Sequence, residues 1–137
     1  MIPVIFPFRQ EESKIFGEVW RPVAKVFFWS SRFEKWQGVW MIVDTGADYT
    51  LLPNYMAREL GVNLEKDCQR HKTVGIGGSE VVYLFRKQKV KLGNWEGLIP
   101  VGFLNHDNIP LLLGRQDFME DFKVVFENHK TIGTRLD

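Results

Sequence analysis

From residue 19 onward the apolar residues come in short runs, each stopped by glycine, proline, asparagine or aspartate, and this punctuation constrains the fold more than any other feature. Val23, Val26 and Phe28 form one run, and Val39, Met41 and Val43 a second. The turn-forming and charged segment between them holds Ser30, Ser31, Arg32, Glu34, Lys35 and Gly38. Val81, Val82, Tyr83 and Phe85 follow a glycine-rich stretch, and runs at 90–92 and 98–103 flank Gly93-Asn94. Val124-Val125-Phe126 and Thr131-Ile132 sit on either side of Asn128. Runs of this length, rich in β-branched and aromatic residues and bounded by turn formers, predict strands joined as hairpins. Helical spacing occurs at only two places. One is 55–60, where Asn54 is placed to cap the start and Gly61 to occupy the left-handed C′ position. The other is 115–122, where Phe118, Met119 and Phe122 share a helical face. The pattern predicts an all-β domain with one or two short helices.

At 137 residues the chain has the length of one domain with a sizeable core. Residues 1–18 carry Pro3, Pro7 and a polar run from 9 to 14, which predicts an irregular N-terminal arm ahead of a single domain over 19–137. Hydrophobic residues make up 45%, which excludes a disordered chain. Eighteen Lys and Arg against 17 Asp and Glu give a net charge of +1, which argues against a nucleic-acid partner held by bulk charge. Cys68 is the single cysteine, so no disulfide forms within the chain, and its polar neighbours predict an ordinary surface thiol. The start of the chain lacks a basic segment followed by a sustained apolar one. The most apolar stretch, 19–29, is broken by Arg21, Pro22 and Lys25, so no membrane span is expected and a cytoplasmic location is the default. His71, His106 and His129 are scattered and read as polar loop residues, so no metal site is expected. Trp20, Trp29, Trp36, Trp40 and Trp95 read as core or interface packing.

The segment with chemical content is Ile42-Val43-Asp44-Thr45-Gly46-Ala47. An apolar strand runs directly into a carboxylate, where the acid is poorly solvated unless it is used or paired. Gly46 lets the backbone turn tightly beside it, and Thr45 offers a hydroxyl that can pin the loop. Taken alone, the segment also fits a strand ending in an Asp-Gly-type turn with Asp44 as a cap. Two further segments bear on the choice. Thr73-Val74-Gly75-Ile76-Gly77-Gly78 is a glycine-rich hairpin tip, and Leu112-Leu113-Gly114-Arg115 is an apolar run ending in Gly-Arg.

In this order and spacing, over 21–127, the three segments resemble the retropepsin-like branch of the aspartic proteases. The longer arm and the helix after Leu51-Leu52-Pro53 look more like free-standing cellular or bacterial members than the minimal viral enzymes. The resemblance implies a closed acid-protease β-barrel with a flap hairpin. It implies that Asp44 is the catalytic acid, that Thr45 ties the two catalytic loops together across subunits, and that Gly46 takes substrate backbone contacts. Ala47, Asp48, Gly75, Ile76, Gly77 and Gly78 are expected at the substrate and flap. Gly114 and Arg115 are expected to brace the loop, with Arg115 paired to Asp48, although these two also fit unrelated surface charges. Arg21, from the early Arg-Pro, is expected to reach a partner's acid. Val74 stands where the viral pattern has a flap glycine. No cofactor is implied.

Aspartic proteolysis needs two carboxylates on one water, one ionised and one protonated. The chain has one Asp-Thr-Gly, and no other aspartate is followed by Thr or Ser and then Gly. A homodimer with the loop at its two-fold axis is therefore expected, acting on an extended peptide or protein without nucleic acid or membrane. The alternative is a peptide-binding or dimerisation module that keeps the fold with little or no turnover.

Overall fold

A computed structural model describes residues 1–75 and 78–136. The strands are β1 (Val4–Pro7), β2 (Arg9–Ser13), β3 (Gly17–Arg21), β4 (Val23–Ser30), β5 (Lys35–Val43), β6 (Thr50–Leu52), β7 (Gln69–Gly75), β8 (Gly78–Leu92), β9 (Trp95–Leu104), β10 (Leu112–Leu113), β11 (Phe122–Glu127) and β12 (Lys130–Arg135). Two helices, α1 (Asn54–Leu60) and α2 (Leu64–Asp67), lie between β6 and β7. The fold is all-β, as the punctuation predicts. The main sheet runs β4-β5-β10-β6-β9-β8-β7, and β4 also pairs with β8 through Phe27–Lys91 and Phe28–Val90. That second pairing closes six strands into a ring and leaves β7 outside it, so the sheet is barrel-like with few open edges.

The ring encloses the core. Val26, Phe28, Met41, Leu52, Val90, Ile99, Val101 and Phe103 are all sealed from solvent. The alternation is clean on β4, where Val26 and Phe28 point inward while Lys25, Phe27 and Trp29 are only partly covered. Such period-2 alternation fixes the register, because a one-residue slip would turn the buried set outward. The hairpin at Asn128 is the predicted one. Asn128 and His129 have φ of 50° and 56°, the left-handed pair that a tight two-residue hairpin turn needs.

Four expectations are corrected. Residues 1–18 are not irregular: β1 pairs with β12 in a three-stranded β1-β12-β11 sheet, and β2 and β3 form a separate hairpin. Helix α1 begins at the expected place, but Asn54 is not its cap. Pro53 occupies the N-cap position, and the free amide of Tyr55 donates to Asp107 Oδ1 at 2.8 Å from across the chain. Helix α2, capped by Asn63, was not expected. The predicted helix over 115–122 is reduced to a single 3-10 turn at Met119–Asp121. Just before that turn the backbone leaves the helical region, with φ of 53° at Asp117 and −137° at Phe118, so no α-helical turn runs through these two residues. Of the histidines, His71 lies on β7 rather than in a loop, whereas His106 and His129 are loop residues as expected: His106 bonds Glu80, and the His129 ring stacks on Trp20 at 4.5 Å. Of the tryptophans, Trp95 packs on Phe118 and Phe122, whereas Trp20 and Trp40 are exposed.

The three-stranded sheet covers one mouth of the ring over an apolar cavity of about 30 Å³ that Val4, Ala24, Val43 and Thr131 help to line. Thr131 is buried, and its hydroxyl finds no hydrogen-bond partner among the described residues. A buried hydroxyl without a partner costs on the order of 1–3 kcal/mol. Thr131→Val keeps the shape and removes that cost. It should raise unfolding stability by about 1 kcal/mol in urea titrations, seen as a higher midpoint with unchanged slope.

Candidate active site

Strand β5 delivers Asp44 and β6 carries the chain away from it, and β10 is wedged between the two. Leu112–Leu113 runs parallel to Ile42–Val43, and Leu112 is antiparallel to Leu51. The wedge bonds the loop at both ends. Ile42 N donates to Leu111 O at 2.9 Å and Asp44 N to Leu113 O at 3.0 Å. Beyond β10, Gly114 N donates to the buried Thr50 Oγ1 at 3.2 Å, Arg115 N to Ala47 O at 3.1 Å and Gln116 N to Asp48 O at 2.7 Å. The backbone on each side of the acid is thus fixed by main-chain bonds to one segment.

Inside the loop, the Asp44 carboxylate turns back on its own backbone. Gly46 N donates to Asp44 Oδ1 at 3.0 Å and Ala47 N to Asp44 O at 3.1 Å. Asp44 is half-buried, while Thr45 and Gly46 are exposed. The loop therefore presents a held carboxylate behind an open Thr-Gly edge. Arg115 Nη2 donates to Asp48 Oδ1 at 2.7 Å, so the expected pair is present. The Asp48 side chain is 83% exposed, and an ion pair this open contributes at most about 1 kcal/mol. Its geometric effect is larger than its energy: it adds a side-chain tie to the main-chain bonds from Arg115 and Gln116.

The remaining predicted residues fall as follows. Strands β7 and β8 form an antiparallel ladder, with Gly75 paired to Gly78 at its described end. Ile76 and Gly77 lie outside the described residues. Val74 is almost fully exposed near that end. Within the chain, the Arg21 guanidinium pairs with Glu11 in the β2–β3 hairpin. Pro22, its neighbour, does reach the site strand, because Val43 N donates to Pro22 O at 2.9 Å.

Sequence reasoning missed Tyr49. Its ring packs where Gly102 leaves space, since a Cβ on Gly102 would stand 2.6 Å from Tyr49 Cε2. Burial, and then the neighbouring Asp48 charge, push the Tyr49 hydroxyl above its ordinary value, so it stays protonated and able to donate. The available signal was the aromatic residue next to Asp48, which no motif singles out. Among the described residues no three His, Cys, Asp or Glu side chains gather as a metal site, and no helix is long and apolar enough to cross a membrane.

Comparison with known proteins fits this geometry. The sequence pattern of the family described as aspartyl protease matches residues 32–116, from the turn before β5 to the Gly-Arg brace. The chain belongs to the aspartyl protease family. Its fold is similar to that of a crystal structure described as a retropepsin-like aspartic protease from Rickettsia conorii, with a TM-score of 0.67 and 20% sequence identity. The alignment covers 96% of this chain and 98% of that one, so the likeness extends beyond the loop to the retropepsin-like fold as a whole. No curated protein sequence matches the chain.

Two predictions follow from the aspartyl protease loop and its surroundings. A Cβ on Gly114 would stand 2.2 Å from Tyr49 C and 2.3 Å from Tyr49 O, and neither backbone atom can move without shifting β6. Gly114→Ala should cost about 3 kcal/mol of stability, read from denaturant or thermal unfolding. Cys68 is half-buried against the core rather than an open surface thiol, and burial, then Asp67, push it up to about 11. Only the thiolate is nucleophilic, so iodoacetamide should label the folded protein near pH 8 about a hundredfold more slowly than the unfolded chain.

Proposed function

We propose that the protein is an aspartic endopeptidase that hydrolyses peptide bonds as a homodimer, with one Asp44 from each subunit forming the catalytic pair. The observation that carries the reading is the Asp44-Thr45-Gly46 loop. Its acid is held by Gly46 N–H, its backbone is locked to β10, and its Thr-Gly edge is open. A single chain offers one such carboxylate. Two copies of the loop meeting at a two-fold axis would supply the second.

The chemistry follows from two carboxyl groups placed close together. They cannot both ionise at low cost, so they share one proton. The ionised member takes a proton from a water between them, and the oxygen of that water attacks the scissile carbonyl. The protonated member donates to the carbonyl oxygen as it gains negative charge. Collapse of the tetrahedral species breaks the C–N bond, the leaving nitrogen receives a proton, and a carboxylic acid and an amine are released. Thr45 would tie the paired loops together, and Gly46 would bond the substrate backbone. The β7–β8 hairpin, with Gly75, Ile76, Gly77 and Gly78, would close over an extended peptide and exclude water.

Asp44→Asn keeps the loop's shape but removes the ionisable pair. The parent should cleave denatured protein substrate at about pH 4–6, and the variant should lose about a thousandfold or more of that activity. Equal rates in both would overturn the assignment. Peptide binding retained by both with no cleavage would favour a binding module. Mass measurement in solution should find a dimer at concentrations that support activity, and an active monomer would remove the shared-pair mechanism.

A further inference from the structure

Strand β8 stays continuous, but its register with β9 shifts where it faces Pro100. Phe85 pairs with Val101 and Gln88 with Ile99, so Arg86 and Lys87 together oppose Pro100 alone. Proline has no N–H to donate, so the ladder breaks there and the extra residue is expelled as a bulge. A bulge abolishes the in–out alternation. Arg86 and Lys87 are consecutive, yet both are exposed and both line the same cleft, beside the base of the flap hairpin.

That cleft has a volume of about 600 Å³ and is bounded by Tyr49, His71, Lys72, Arg86, Lys87 and Asp117, among others. It adjoins the candidate active site through the chain itself. Tyr49 directly follows Asp48, and Asp117 lies two residues beyond Arg115. Its charge is lopsided in a protein whose net charge is +1. Four basic side chains face one acid. Among the described residues, none of the four takes part in an ion pair. Arg86 Nε donates to the neutral amide oxygen of Gln69 at 3.1 Å, and Asp117 Oδ1 accepts from the Gln116 side-chain amide at 3.2 Å. The protonated Tyr49 hydroxyl adds a donor to the wall.

We propose that this cleft is a specificity subsite that takes an acidic side chain, Asp or Glu, of the bound peptide away from the scissile bond, with Arg86, Lys87 and Lys72 as its recognition residues. The inference rests on the peptidase reading for its role in cleavage, and its charge preference is measurable without cleavage. A volume of this size admits a Glu side chain with its water. Basic groups held at a rim attract an anion and penalise a cation, so the expected discrimination is between Glu and Lys rather than between Glu and nothing.

The test uses the full-length protein and extended peptides with a fixed apolar centre, in which Glu or Lys is placed at each flanking position in turn. At one or more positions away from the cut, the parent should show kcat/KM about tenfold higher for the Glu peptide than for the Lys peptide. The double variant Arg86→Glu, Lys87→Glu should bring that ratio to one or invert it. Added salt should shrink the ratio in the parent. In parallel, fluorescence anisotropy with Asp44→Asn should find the Glu peptide bound about tenfold more tightly than the Lys peptide. Cleavage indifferent to Glu or Lys at every position would overturn the subsite and leave the peptidase standing. Preferential binding of Glu peptides by a protein that cleaves nothing would keep the subsite and remove the peptidase. Equal or absent binding of both peptides to Asp44→Asn would also overturn it.

Discussion

The structure depends on the fit of a two-residue strand, Leu112–Leu113, between β5 and β6. Those strands diverge after Asp44 because the loop must turn, and without β10 their facing N–H and C=O groups would be buried without partners. The wedge satisfies them and joins two halves of the ring. Gly114 lets the wedge seat: the backbone of Tyr49 and Thr50 passes where any side chain would stand. A long-range backbone contact of this kind is slow to find and hard to vary, since its partners are 60 to 70 residues apart in sequence.

Everything chemically significant hangs from that seat. The same segment that closes the ring reaches on to fix Ala47 and Asp48 through the amides of Arg115 and Gln116. The Asp44 carboxylate is therefore positioned by main-chain bonds, which have little freedom to relax, rather than by exposed ion pairs, which have much. The fold holds the loop open at Thr45-Gly46 as firmly as it holds the acid in place. An aspartyl protease loop built this way is rigid on the side of its own domain and exposed at Thr45 and Gly46 on the other.

Much of this was legible in the sequence because the relevant signals are local. Strand alternation in β4, the two-residue turns at Gly93-Asn94 and Asn128-His129, Gly61 as a helix stop, and Asp-Thr-Gly each declare themselves within a few residues. What escaped was decided at a distance. Asn54 has the right chemistry for a cap, but Asp107 arrives first from the far end of β9. The 115–122 segment has helical spacing, but its backbone departs from the helical region at Asp117 and Phe118, just after Arg115 and Gln116 bond to the Asp44 loop. The first 18 residues look too polar and proline-rich for strands, but β12 supplies an edge for β1 to join. The Arg21–Glu11 pair was not legible because only the β2–β3 register brings the two side chains alongside. Tyr49 sits beside a recognisable motif, but its place is set by a glycine more than fifty residues away.

Strand β8 has a consequence of its own. It is one unbroken element of 15 residues, but its two ends belong to different bodies. From Gly78 to Val81 its only ladder partner is β7, while from Gln88 to Leu92 it is a stave of the closed ring, bonded to β9 and, at Val90 and Lys91, to β4. Between these ends, from Val82 to Leu84, β8 is bonded to β7 on one side and to β9 on the other. Fraying that starts at the hairpin's outer end therefore has only one row of backbone bonds to undo, and it meets a doubled row at Val82, four residues before the bulge.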